Sequence, residues 1–152
     1  MLESLHSLTG AVIAYKIGNP ALALPLAFLS HFVTDLLPHW NPEIYNEKKK
    51  LGHLLAKTNL QIIIDCLIGL FFGLFVALKA LPSTTHFLTV IGGSFFAILP
   101  DLVEAPFYYL NVKASPILKL TKFQRSHQFK TSFWFGMAFQ LLYAILLLSL
   151  VW

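Results

Sequence analysis

The 152-residue chain has almost no cysteine and little charge. Cys66 is its only cysteine and lies in an apolar run, which excludes an intrachain disulfide and a cysteine-rich metal site. On its own it reads as a small buried hydrophobe. Charged residues make up 12% of the chain, against about 25% in a soluble domain. Hydrophobic residues make up 57%, and a single small domain leaves too much of its surface exposed to bury them all. A bilayer resolves the conflict by acting as solvent for that surface. The N-terminal stretch lacks a basic region and a small-residue cleavage pattern, with Glu3 and His6 early in it, so it does not read as a cleaved signal peptide. Acids are absent from the stretch holding Lys113, Lys119, Lys122, Arg125 and Lys130. There is no low-complexity tract or linker, so residues 1–152 are expected to form a single membrane-embedded helical domain.

The apolar runs predict an all-α, polytopic helical bundle with about four to five transmembrane segments. Residues 5–17 are short for a crossing, at about 20 Å against a hydrocarbon core of ~30 Å, and predict a short, tilted or re-entrant helix. Residues 20–37 follow, with Pro20 suited to a first helical position and Pro25 expected to kink the segment. The polar stretch from Asn41 to Lys50 reads as a loop. Residues 52–80 and 83–110 are the next two segments. Pro100 and Pro106 are expected to bend or end the second, and Gly92, Gly93 and Ser94 to admit a close neighbour. An interfacial helix is expected over 116–123 and a last span over 132–152. If all five spans cross, nine of the eleven basic residues fall in the 39–58 and 111–130 loops, which places those loops in the cytoplasm. The net charge of +4 then reflects topology in a multi-pass inner (cytoplasmic) membrane protein. Its partners are membrane lipids, not nucleic acid, and no oligomeric state is implied.

Ionisable residues within membrane segments cost about 2.5–3.5 kcal/mol each on insertion scales and are functional candidates by default. Here they are His6, His31, Asp35, Asp65, Asp101 and Glu104, with His39 just past the end of the second segment and His127 near the start of the last, all toward the half expected to face the cytoplasm. His31 and Asp35 are four residues apart on one helical face, and Asp101 and Glu104 are three apart. Histidine and carboxylate without thiolate suit Zn, Mn or Fe. Plainer roles stand beside this one. His31 with Asp35, or Asp65 with a cation, can be interhelical pairs. Asp101 can cap a helix, Glu104 and His39 can lie near the interface, His127 can be a surface residue, and His6 can be structural.

Four pieces of the chain resemble motifs of the inner-membrane-associated metal-dependent hydrolases, a family whose activity is assigned by prediction. They are Leu5-His6-Ser7-Leu8-Thr9-Gly10, His31-Phe32-Val33-Thr34-Asp35, Leu99-Pro100-Asp101-Leu102-Val103-Glu104, and Arg125-Ser126-His127. The chain departs from the family in order, since His-x-x-x-Asp precedes Pro-Asp. It also departs in the position of the second acid and in a shortened Thr-His-Ser piece. The resemblance implies a divalent-metal hydrolase, and with the residues above the chain reads as a membrane-embedded one of the phosphoesterase kind, acting on lipid or lipid-linked headgroups. On that reading His31, Asp35, Asp101 and His127 hold the metal. Asp65 or Glu104 binds a second ion, orients His31 or serves as general base, and Arg125 holds an anionic headgroup. The alternatives are a small ion or proton translocator using the same groups as a relay, and a structural membrane protein without chemistry.

Overall fold

Small residues, more than hydropathy, decide which helix lies at the centre of the molecule. The computed structural model describes residues 1–152 and contains seven helices. The first, α1 (Glu3–Ile17), is rich in Ser, Thr, Gly and Ala, and ten of its fifteen residues are buried. It packs against α2 (Pro20–Thr34), α4 (Ala56–Leu78), α5 (Thr84–Leu110) and α7 (Phe133–Ser149). The short first segment is thus a central helix enclosed by protein, and its length need not match a bilayer. Gly10 faces Gly93 and Ala97 of α5 so closely that a Cβ built on it lies 2.2 Å from the Gly93 carbonyl oxygen. On α4, Gly69 and Gly73 face Ser4 and Ser7. The Ser7 hydroxyl donates to the Gly69 carbonyl at 2.7 Å and lies 2.6 Å from the Ser94 hydroxyl. Small residues at helical spacing let backbones approach closely and gain van der Waals contact without needing a hydrophobic driving force.

Chain punctuation sets the other boundaries. Gly18, at φ 69°, ends α1, and the Asn19 side chain accepts from the Ala21 N–H at 2.9 Å to start α2, with Pro20 in its first turn. Pro25 lies inside α2 without ending it, and the helix stops at Thr34, three residues earlier than the apolar run suggests. Pro100 and Pro106 likewise lie inside α5, which runs on to Leu110 and stops at Asn111, at φ 57°. The polar stretch read as a loop contains a helix, α3 (Ile44–Leu51). Lys48, the first of its three lysines, is buried and donates to the Tyr108 carbonyl at 2.6 Å and to Asn111 Oδ1 at 2.8 Å. It therefore satisfies one backbone carbonyl in the last turn of α5 and the side chain of the residue that ends it. The helix expected over 116–123 is longer, α6 (Ser115–His127), and it turns Thr121 and Gln124 inward and leaves its lysines exposed.

Two helices, α4 with 23 residues and α5 with 27, are long and apolar enough to cross a membrane, while α2 and α7 are shorter apolar helices. In the most apolar stretch of α4 only 22% of residues are buried. Its buried stripe is Gly69, Gly73, Val76 and Ala77, and its outer face exposes Ile63, Ile64, Leu67, Leu70, Phe71 and Leu74. At one end of the bundle the loop after α2 meets the α6–α7 connection. The Phe129 N–H donates to the Asp35 carbonyl, the His39 N–H to the Phe129 carbonyl and the Thr131 N–H to the His39 carbonyl, at 2.8–3.2 Å. That seam closes over the start of α1, where the ionisable residues gather.

Candidate metal centre

Histidines in an apolar helix bundle must place both ring nitrogens, and the partners of one nitrogen fix the state of the other. His31, one turn before the end of α2, has its Nδ1 2.8 Å from the Ala97 carbonyl of α5. A carbonyl only accepts, so Nδ1 carries the proton and Nε2 presents a lone pair. His6, in the first turns of α1, has its Nδ1 3.0 Å from Thr34 Oγ1. That hydroxyl directs its single proton to the carbonyls of Ser30 and His31, at 2.9 and 3.0 Å. His6 Nδ1 is then the donor, and its Nε2 is a lone pair with no hydrogen-bond partner, fully buried. The two rings stack with centroids 4.0 Å apart. Asp101, immediately after Pro100 on α5, brings Oδ1 to 3.6 Å from His31 Nε2. Ligand atoms of His6, His31 and Asp101 all lie within 4.8 Å of one another, and this cluster can coordinate a divalent metal.

Asp35 adjoins the cluster. It is buried, with Oδ1 3.4 Å from His6 Nε2 and Oδ2 3.8 Å from His31 Nε2. The amino group of Met1 lies 2.5 Å from the same Oδ1. A lone pair of His6 therefore faces a carboxylate, an arrangement that gains from a cation near the two. Two imidazoles and carboxylate oxygens, with an orphaned buried nitrogen among them, are a donor set that fits a divalent ion.

The remaining candidates are distributed around this cluster. Asp65 accepts the N–H groups of Glu3 at 2.6 Å and Ser4 at 3.2 Å. It thus caps the open N-terminus of α1 from a neighbouring helix. Glu104 is buried with Oε1 unpaired. Arg125 stacks over the Tyr45 ring, 3.6 Å from its centroid. His127 is exposed, with Nδ1 3.0 Å from both the Phe123 carbonyl and the Ser126 hydroxyl, and stands outside the three-residue cluster. A cavity of about 500 Å³ opens beside the cluster, and Glu3, Asp65, Asp101, Glu104, Gln124, Arg125 and Lys130 are among its lining residues, with apolar side chains the majority.

Two residues gain importance only in three dimensions. His6 reads as structural in a helix too short to span, yet it supplies the cluster's one buried ring nitrogen without a hydrogen-bond partner. Gln124 carries no signal of its own in the sequence, since a neutral amide in a lysine-rich helix reads as surface. It is 3% exposed, and its Nε2 donates to His31 Nε2 at 2.9 Å and to Asp101 Oδ1 at 2.6 Å. His39, between α2 and α3, donates from Nδ1 to the Leu37 carbonyl at 2.8 Å and leaves Nε2 buried without a partner. Burial pushes its imidazole down to about 4, so it is neutral at physiological pH. No protein-family model matches the chain, and comparisons with curated proteins and with solved structures find no match. What the site can do therefore follows from its own atoms.

Proposed function

We propose that the protein is a membrane-embedded, metal-dependent hydrolase of the phosphoesterase kind, acting on a lipid or lipid-linked headgroup at the cytoplasmic face. The observation that carries this reading is the convergence of His6, His31 and Asp101 within 4.8 Å, with Asp101 also lining a cavity that is apolar over most of its lining. Membrane embedding draws support from the outer face of α4, where large apolar side chains have no protein to cover them. It also draws support from the basic residues of α3 and α6, which lie at one end of the bundle, as the Lys48–Asn111 and Lys130–Glu43 contacts require.

His6 and His31 would hold the ion through Nε2 and Asp101 through its carboxylate, with Asp35 beside them. The bound ion would supply Lewis acidity and a nucleophile available near neutral pH. The chain's own residues do the rest. Ala97 and Thr34 lock the two imidazoles with their lone pairs toward the site. Arg125 and Lys130, at the cavity, attract an anionic group, with Arg125 suited to pairing two of its oxygens. Glu104, with Oε1 unengaged, is the carboxyl free to exchange a proton with a group reacting in the cavity. Asp65 is committed to the α1 backbone, which leaves Glu104 the better placed of the two acids for that role.

The test is phosphate release by the purified full chain in detergent, measured on phosphatidic acid and on a water-soluble aryl phosphate. Hydrolysis that requires Mn or Zn, stops with a chelator and falls at least a hundredfold in Asp101→Asn supports the reading. Hydrolysis that survives in Asp101→Asn, or none with any metal and either ester, contradicts it.

A further inference from the structure

Gln124 occupies the place where the donor atoms of His31 and Asp101 meet. Its carboxamide nitrogen touches both, at 2.9 and 2.6 Å. Its oxygen is buried and has no hydrogen-bond partner. Since His31 Nε2 is a lone pair and Asp101 an acceptor, the NH₂ group must point at them in a site without a cation. It does there what a cation would do, satisfying two converging lone pairs. A cation that takes those lone pairs cannot share them with N–H donors, so the amide nitrogen must leave.

We propose that Gln124 is a fourth protein ligand of the metal site, reached by a half-turn of its terminal amide. The terminal torsion of a glutamine is broad and roughly two-fold, so the half-turn exchanges nitrogen for oxygen without moving the backbone. The oxygen then lies where the nitrogen lies now, beside His31 and Asp101, and finds the partner it lacks. Two imidazoles, one carboxylate and one amide oxygen form a set without thiolate, suited to Mn, Fe or Zn. This assignment rests on the metal reading given above. It adds α6 to the elements that build the site, joining α1, α2 and α5.

Affinities of the full-length protein for Mn and Zn, measured in detergent by competition with a fluorescent chelator, test the assignment. Melting of each variant in chelator reports folding. Gln124→Leu keeps the bulk and removes the oxygen, and its affinity is expected to fall about tenfold or more. Gln124→Glu places an oxygen at both amide positions. It is expected to melt lower than wild type without metal, because it faces Asp101, and to gain more on metal addition than wild type gains. Equal or tighter binding by Gln124→Leu would show that the amide only plugs the site, and overturns the assignment while leaving the metal centre standing. If Gln124→Leu does not fold, a metal-induced rise in Gln124→Glu no larger than wild type's overturns it instead. Wild type that binds neither metal overturns the metal reading itself.

Discussion

Gly10→Ala should damage the site without touching it. The added Cβ would lie 2.2 Å from the Gly93 carbonyl oxygen and 2.5 Å from Ala97 Cβ. Both neighbours are on the α5 backbone or one atom from it, so neither can rotate away. Restoring ordinary contact requires α1 and α5 to separate by about 1 Å, and forced overpacking of this kind costs roughly 1–3 kcal/mol. The upper part of that range applies, because the same crossing places Gly93 against Ala14. The displacement reaches the metal centre through rigid elements. His6 is one turn from Gly10 on α1. Ala97, whose carbonyl fixes the His31 ring, and Asp101 lie one and two turns beyond Gly93 on α5. Since functional constellations tolerate only about 0.5 Å of misplacement, metal affinity should fall at least tenfold. The assay is thermal melting in detergent with and without Mn, beside Leu141→Ala on the exposed face of α7 as a control. A melting point lowered by several degrees, with most of the metal-induced rise lost, is expected. A Gly10→Ala protein with wild-type melting and wild-type metal response would refute the close α1–α5 crossing as the frame of the site.

Other perturbations probe separate links. Lys48→Met removes two charge-assisted hydrogen bonds at the end of α5 and should cost roughly 2 kcal/mol, read as a lower melting point with metal affinity retained. His39 titrates at about 4 in the folded protein and near 6.5 when unfolded. The unfolded chain thus takes up the proton first, and stability should fall as pH drops from about 6.5 toward 4, by up to ~1.4 kcal/mol per pH unit. His39→Gln should flatten that part of the melting-point profile, and an unchanged profile would assign the acid sensitivity elsewhere. A reporter inserted near Lys49 should be cytoplasmic and one fused after Trp152 extracytoplasmic. Both on the same side would be incompatible with the five-crossing reading.

The helices α4 and α5 are legible as long apolar runs, and α7 as a shorter one. The place of α1 is not, because a segment of Ser, Thr, Gly and Ala is only moderately apolar, and its role depends on surfaces that other helices present. The helical character of α3 is masked by its lysine run, whose first member turns inward to the Tyr108 carbonyl of α5. Prolines 100 and 106 are expected to bend or end the segment drawn over 83–110, and α5 runs through both to Leu110. His31 and Asp101 stand out as costly residues in apolar segments. The contribution of Gln124 does not, since a neutral amide has no insertion cost large enough to mark it. The tautomers of His6 and His31 depend on Thr34 and on the Ala97 carbonyl, contacts that no spacing along the chain reveals.

The central claim is that His6, His31 and Asp101 form one metal site. It is tested most directly by elemental analysis of the purified full chain after loading with Mn or Zn and removal of excess, beside His31→Gln. Retention of at least one ion per chain in wild type, and its loss in a His31→Gln protein that still folds, is the result expected from two imidazole lone pairs and a carboxylate within 4.8 Å. Negligible metal in both proteins, with His31→Gln changing only the melting point, would make the cluster a packing feature and contradict the account.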